Sequence, residues 1–339
     1  MKITVIGVPS AWGAPEPGVI DTPARLRAAG LLDWLSGAGL EVRDHGDVPV
    51  PAGWQPPAPL EEPVADGGPL PHQSELLAVQ REVRKAAAGA MEAGELPLLI
   101  GGECGIAPGA VAAVAAATPG GPLGDKPARP LIVWLDAHGD LNTPETSPSG
   151  LLCGMPLSVA LGRGHPAALA VGADAPTTRA EDTWLIGARD LDAGELATLA
   201  ELPIHHVTVD ELRGLGAEQL IERILPGAAI LPPEARVLSP QTSGGETPGP
   251  TEAAVYLHID VDCIDPREAP GVTFPVAGGL GTAEVADLAG YLCASGRLAA
   301  ITLASANLLG DEDDLTLNSL RMLLTSISDA LSLAIPSSG

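Results

Sequence analysis

Two short acidic runs carry the chemistry of this sequence. Asp136-Ala137-His138-Gly139-Asp140 follows the apolar stretch Leu131-Ile132-Val133-Trp134-Leu135, and Asp260-Val261-Asp262 follows Val255-Tyr256-Leu257-His258-Ile259. Each run begins where a buried strand should end. Read as strand continuations, Asp136 and His138 share one face, as do Asp260 and Asp262, because strand side chains alternate. Asp140 then lies just past the first strand. Four carboxylates brought together repel one another unless counter-charge is present. A pair of divalent cations supplies that charge, and two cations bridged by carboxylates also generate hydroxide at neutral pH. Carboxylates with one imidazole favour Mn2+, with Zn2+, Fe2+ or Co2+ as chemically acceptable substitutes. A lone Asp at a strand end more often caps a helix or forms a turn. That reading is kept for Asp265, which closes the second run, but not for the paired runs themselves.

The elements that must position these residues are legible as alternation. Apolar runs near 2–7, 96–101, 130–136, 182–187, 204–209, 253–261 and 299–304 read as strands buried on both faces. Ala- and Leu-rich stretches at 22–37, 73–94, 105–117, 154–162, 193–202, 209–224, 282–295 and 313–334 read as helices. Repeated βα alternation predicts a parallel, doubly wound sheet with right-handed crossovers. In such a sheet ligands collect at the carboxyl ends of strands, where both acidic runs lie. Segments near 50–71, 118–129 and 231–252 are rich in Pro, Gly, Ser or Thr and lack periodicity. They read as loop insertions, since the alternation resumes after each. Residues 1–339 are therefore expected to form a single α/β domain.

Composition excludes several classes. The 339 residues carry a formal net charge of −25, which repels nucleic acid and anionic membranes. Aromatic residues reach only 2%, so the core must be aliphatic. No stretch approaches the roughly 20 apolar residues of a membrane span, and the opening Met1-Lys2-Ile3-Thr4-Val5-Ile6-Gly7 is not a signal peptide. A cytoplasmic protein is expected. Cys104, Cys153, Cys263 and Cys293 are widely spaced, without a disulfide framework or CxxC pairs. His205 and His206 are strand neighbours on opposite faces, so they cannot share one ion.

At the acidic runs the sequence resembles the ureohydrolases, the family of arginases and agmatinases. Asp136 to Asn142 matches DAHxDxN, Asp260 to Pro266 matches DVDxxDP, and Gly278-Gly279-Leu280 matches the GGL that follows. Ser149-Gly150 to Gly154-Met155-Pro156 resembles SGxxHGxP, and Gly101-Gly102-Glu103-Cys104 is similar to a degraded GGDH. The resemblance is closest to arginases proper and runs along nearly the whole chain. It implies a three-layer α/β/α fold and two divalent metal ions, with Asp136 and Asp260 bridging both. Asp140 would complete the shell of the first ion, and His138 and Asp262 that of the second. Asp140 is also the nearest candidate to protonate the leaving amine. The resemblance further implies a small guanidino amino acid as substrate, its α-carboxylate at Asn142 and Ser149 and its α-amine at Asp192. A homo-oligomer, trimer or hexamer, is implied in the same way.

Four departures from the pattern bear on activity. Cys104 stands where the family has a histidine ligand; a thiolate there favours Zn2+ or Fe2+, while a buried thiol would leave a water in the shell. Cys153 replaces a histidine thought to shuttle protons. Ser305, in Ser305-Ala306-Asn307, replaces the glutamate that receives the guanidinium. Phe274, the only Phe, replaces a small polar residue and would either narrow the pocket or pack in the core. The amino-acid end thus looks kept and the guanidinium end altered, which points to an arginine derivative with a less basic end group, such as Nω-hydroxyarginine. Two other classes compete: a decayed metal-binding relative, and an amidase or deacetylase using one ion on the same scaffold.

Overall fold

The computed structural model describes residues 2–37, 39–58, 60, 64, 68, 70–118, 129–172, 177–227, 254–311 and 313–333. Its strands are β1 (Lys2–Gly7), β2 (Glu41–Asp47), β3 (Glu95–Ile100), β4 (Leu131–Leu135), β5 (Thr183–Ile186), β6 (His205–Val207), β7 (Val255–Asp260) and β8 (Leu298–Ala304). They form one sheet in the order β2-β1-β3-β8-β7-β4-β5-β6, with every pairing parallel. The helices are α1 (Thr22–Ala29), α2 (Leu31–Ser36), α3 (Gln73–Glu92), α4 (Ala107–Ala117), α5 (Pro156–Ala160), α6 (Pro166–Leu169), α7 (Ala193–Glu201), α8 (Val209–Leu215), α9 (Ala217–Ile224), α10 (Thr282–Ala294) and α11 (Leu315–Leu333).

Strand alternation sorts the core into two layers. Ile3, Val5, Leu98, Ile100, Val133, Leu135, Leu257 and Ile259 pack with Leu26, Leu35, Leu220, Leu288 and Leu323 from α1, α2, α9, α10 and α11. Their alternates Ile6, Leu99, Ile132, Trp134 and Tyr256 pack on the opposite face with Val79, Val83, Val111, Val114 and Leu157 from α3, α4 and α5. A parallel sheet buried on both faces explains why its strands read as continuous apolar runs.

Several boundaries differ from the sequence expectation. Strand β2 has no apolar signal because it is an edge strand, mostly exposed, bonded only to β1. Its place is held by Arg27, whose guanidinium bonds Asp44 at 2.9 and 3.0 Å and Asp47 at 2.5 Å. The expected helix 22–37 is broken at Gly30 (φ 107°) and that at 209–224 at Gly216 (φ 80°), where a left-handed φ favours glycine. The insertion at 231–252 and nearly all of 118–129 lie outside the described residues, and the described residues of 50–71 contain no helix or strand.

Candidate metal centre

Four neighbouring strands, β3, β8, β7 and β4, deliver the candidate residues from their carboxyl ends. The chain leaves β3 through Gly101 and Gly102 at φ 89° and 73°; a Cβ on Gly101 would lie 2.6 Å from Pro23. That tight exit seats Cys104 over the end of the sheet. Ser305 follows β8, itself left-handed at φ 64°. Asp260 is the last residue of β7, and Asp262 sits in a single 3-10 turn, Val261–Cys263. After β4 come Asp136, His138 and Asp140.

The expectation that each acidic run continues its strand is corrected here. Strand β4 stops at Leu135, and β7 stops at Asp260. Carboxylates hold the departing backbone instead. Asp136 Oδ1 accepts from the His138 amide at 2.7 Å, Asp260 Oδ1 from the Asp262 amide at 2.8 Å, and Asp262 Oδ1 from the Ala137 amide at 3.0 Å. The last bond ties the two runs together across 125 residues of sequence.

The side chains meet closely. His138 Nδ1 lies 3.0 Å from Asp262 Oδ2 and 3.5 Å from Asp136 Oδ1. One potential ligand atom from each of Asp136, His138 and Asp262 lies within 4.8 Å of the others, and the same holds for Cys104, Asp136 and His258. Asp136 is common to both groups. Its Oδ2 is held by the Trp134 indole N–H at 3.0 Å. Asp260 Oδ2 accepts from the Cys104 thiol at 2.8 Å. Asp140, at φ 52° and buried, presents an Oδ2 with no hydrogen-bond partner among the described residues.

Electrostatics reflect this crowding. Burial would lower the His138 imidazole, but Asp136 and Asp262 outweigh it and push it up to about 12. Burial and then the neighbouring carboxylates raise Asp140, Asp260 and Asp262, whereas Asp136, despite burial, is held below the usual carboxylate range by His138. A bare acid cluster therefore retains protons and borrows one imidazolium as counter-ion. An orphaned buried carboxylate oxygen and two overlapping donor groups of oxygen, nitrogen and sulfur fit divalent cations well.

A cavity of about 300 Å³ opens over the cluster. Asp140, Cys153, Asn142, Ser149, Asp192 and Ser305 all line it, as do Cys104, His138, Asp260 and Asp262. Every expected site residue thus reaches one cavity except Asp136, which is buried among them. At the outer end Asn142 Nδ2 donates to Asp192 Oδ2 at 2.8 Å, while Asn142 Oδ1 accepts from Thr146 Oγ1 at 3.0 Å. Ser149 Oγ accepts from the Leu151 amide at 3.3 Å. Phe274 is 39% exposed and meets His138 edge-on at 5.9 Å, so it stands at the mouth and the core-packing reading is set aside. Asp265 is the turn former expected: its oxygens accept from the amides of Arg267, Gly278 and Gly279.

Sequence reasoning missed three buried residues. Glu195, from α7, accepts from the Leu141 amide at 3.0 Å and the Asp192 amide at 2.9 Å, joining the two loops that carry Asp140 and Asp192. Glu103 accepts from the amides of Gly13 and Gly105, and burial raises its carboxyl to about 7. His258, on β7, was read only as part of an apolar strand, yet its Nε2 lies 3.0 Å from Cys104 Sγ. Its signal was present: it is two residues before Asp260 on one strand.

Comparison with known proteins shows the family and the fold. A family model described as "Arginase family" matches residues 1–230 and 246–326. The arginase of Bacillus caldovelox is 34% identical over 279 residues, covering 82% of this chain and 81% of that one. Its native crystal structure at pH 5.6 superposes with a TM-score of 0.78 at 30% identity, covering 96% of this chain and 97% of that chain. A crystal structure of Bacillus subtilis arginase gives a TM-score of 0.76 at 30% identity, with 96% and 97% covered.

Proposed function

Because this chain belongs to the arginase family, a family of hydrolases that cut amidine C–N bonds, we propose that it hydrolyses the end group of a guanidino-type amino acid in the cavity above Asp136 and Asp260. The observation that carries the reading is the convergence of two acidic runs, 125 residues apart, into one buried cluster with overlapping donor groups. Asp136, His138, Asp140, Asp260, Asp262 and Cys104 would hold two divalent cations. Such a pair neutralises the acids and lowers the pKa of a water to near neutrality.

The remaining work belongs to side chains of the chain itself. Asp140, whose Oδ2 has no partner among the described residues, would take a proton from the attacking water and return it to the leaving amine. Cys153, on the same wall, relays protons toward solvent. Asp192 receives the substrate ammonium, oriented by Asn142, and Ser149 with Asn142 receives the carboxylate. At the inner end Ser305 offers a hydroxyl where a carboxylate would balance a guanidinium. A buried cation without a partner is costly, so the preferred end group is less basic than guanidinium. Nω-Hydroxyarginine, releasing hydroxyurea, fits this requirement better than arginine releasing urea. Cytosolic location and a trimer or hexamer belong to the same reading.

The test is a side-by-side assay of urea from arginine and hydroxyurea from Nω-hydroxyarginine, using metal-loaded protein. Faster turnover of the hydroxylated substrate is expected. Faster turnover of arginine would overturn the substrate assignment, and no turnover of either with two ions bound would overturn the hydrolase reading.

A further inference from the structure

We propose that His258 is itself a metal ligand, acting with Cys104 and Asp136, so that one ion sits in a mixed thiolate, imidazole and carboxylate site selective for Zn2+, Co2+ or Fe2+ over Mn2+. The inference rests on the metal centre proposed above and adds to it a ligand and a metal class.

Geometry carries it. Cys104 Sγ lies 3.0 Å from His258 Nε2 and 3.7 Å from Asp136 Oδ2. Typical bond lengths of about 2.3 Å to sulfur and about 2.0–2.2 Å to nitrogen or oxygen put two ligand atoms ~3.6 Å apart across a tetrahedral ion. The sulfur–oxygen separation already meets that value. The sulfur–nitrogen pair must part by only about half an ångström.

The surroundings fix the imidazole in a ligand's pose. Its ring stacks on Trp134 at 3.7 Å and 14°. Tyr256 OH donates to Thr302 Oγ1 at 2.8 Å, which leaves its oxygen to accept from His258 Nδ1 at 3.4 Å. A donor at Nδ1 leaves the lone pair on Nε2, which faces the sulfur. The Trp134 indole also holds Asp136, so one aromatic residue orients two of the three ligands.

Hydrogen-bond counting in that tautomer supports the same site. The thiol has one proton and donates it to Asp260 Oδ2 at 2.8 Å. In the tautomer with its proton on Nδ1, toward Tyr256, the Nε2 lone pair then faces sulfur at 3.0 Å without a proton to share. Buried polar atoms left in that state are costly. A cation in the gap satisfies both: the S–H bond is replaced by an S–metal bond, and the proton is released to solvent.

Cys104 stands where the family places a histidine. An imidazole at 104 and one at 258 could not both fit the 3.0 Å gap. The pair is thus one alternative ligand set, with a softer donor that disfavours Mn2+.

The experiment titrates Co2+ into chelator-stripped full-length protein, with ions per chain and the absorption spectrum as readouts and circular dichroism to verify folding. A near-ultraviolet thiolate-to-Co2+ charge-transfer band is expected in the natural protein and absent in Cys104→Ser. His258→Gln should keep the second ion and weaken the thiolate-linked one by about 100-fold, the upper end of what losing even an outer partner costs. A double variant, Cys104→His with His258→Ala, should lose the band, keep two ions and gain Mn2+ affinity. Two ions without the band, or an unchanged Co2+ affinity in His258→Gln, would overturn this inference and leave the hydrolase reading intact. Fewer than two ions in the natural protein with Co2+, Zn2+ and Mn2+ alike would overturn both.

Discussion

Asp140 combines three features that seldom coincide without function: a left-handed backbone, burial, and an oxygen with no partner among the described residues. A non-glycine residue at φ 52° stores about 1–3 kcal/mol of strain, which persists where surrounding structure fixes it. Asp140→Asn keeps the shape and removes the proton acceptor. It should lower kcat by about 10²–10⁴-fold with little change in the unfolding midpoint, and steady-state kinetics beside thermal denaturation would check it. His138 yields a second expectation. Its imidazole, raised to about 12 by Asp136 and Asp262 once burial is overcome, is charged at neutral pH in the metal-free protein. As the ligand proposed above it must be neutral, so metal binding would expel that proton. Affinity then falls as pH falls, by about tenfold per pH unit for each proton displaced, because the imidazole is held protonated well above neutrality. Calorimetry at pH 6 and pH 8 in buffers of different ionisation enthalpy measures both slope and proton count.

Elements act on the site through their ends. Strands β3, β8, β7 and β4 are adjacent in the sheet although their order in the chain is different, and each stops just short of its functional residue or at it. Helix α7 contributes at its N-terminus, where Glu195 holds the amides of Leu141 and Asp192. Removing that buried acid leaves two amides without acceptors. Glu195→Ala should cost about 1–3 kcal/mol per unsatisfied donor, read by urea denaturation, and should raise KM by loosening Asp192. An unchanged unfolding curve would mean that the two loops are held by other contacts.

Across the whole molecule, two aliphatic layers, one on each face of the sheet, hold the fold. The metal cluster at its rim works against it unless charge is balanced. The protein should therefore be stabilised by its ions through mass action. Saturation at about 1,000 times Kd contributes about 4 kcal/mol, which for a chain of this size raises Tm by roughly 6 °C. Differential scanning calorimetry with and without chelator measures this, and a Tm indifferent to chelator would contradict a resident metal centre. The net charge of −25 adds self-repulsion that bound cations would partly relieve. Among the described residues no helix is long and apolar enough to cross a membrane.

Local rules sufficed for much of this protein. Burial on both faces leaves a continuous apolar run, so β1, β3, β4, β7 and β8 were legible, as were the acidic residues beyond two of them. The edge strand β2 was not, because one exposed strand with charged side chains carries no such signal. Nor were the breaks at Gly30 and Gly216 inside stretches of helical pattern. Contacts between distant segments lay beyond any local rule. Sequence spacing pairs Asp260 with Asp262, but nothing in it sets His258 against Cys104, 154 residues away, or Asp262 against Ala137. Those meetings follow from strand order, since β7 and β8 insert between β3 and β4. Strand order is fixed by crossover packing of the whole chain, to which hydrophobic periodicity along one segment is blind.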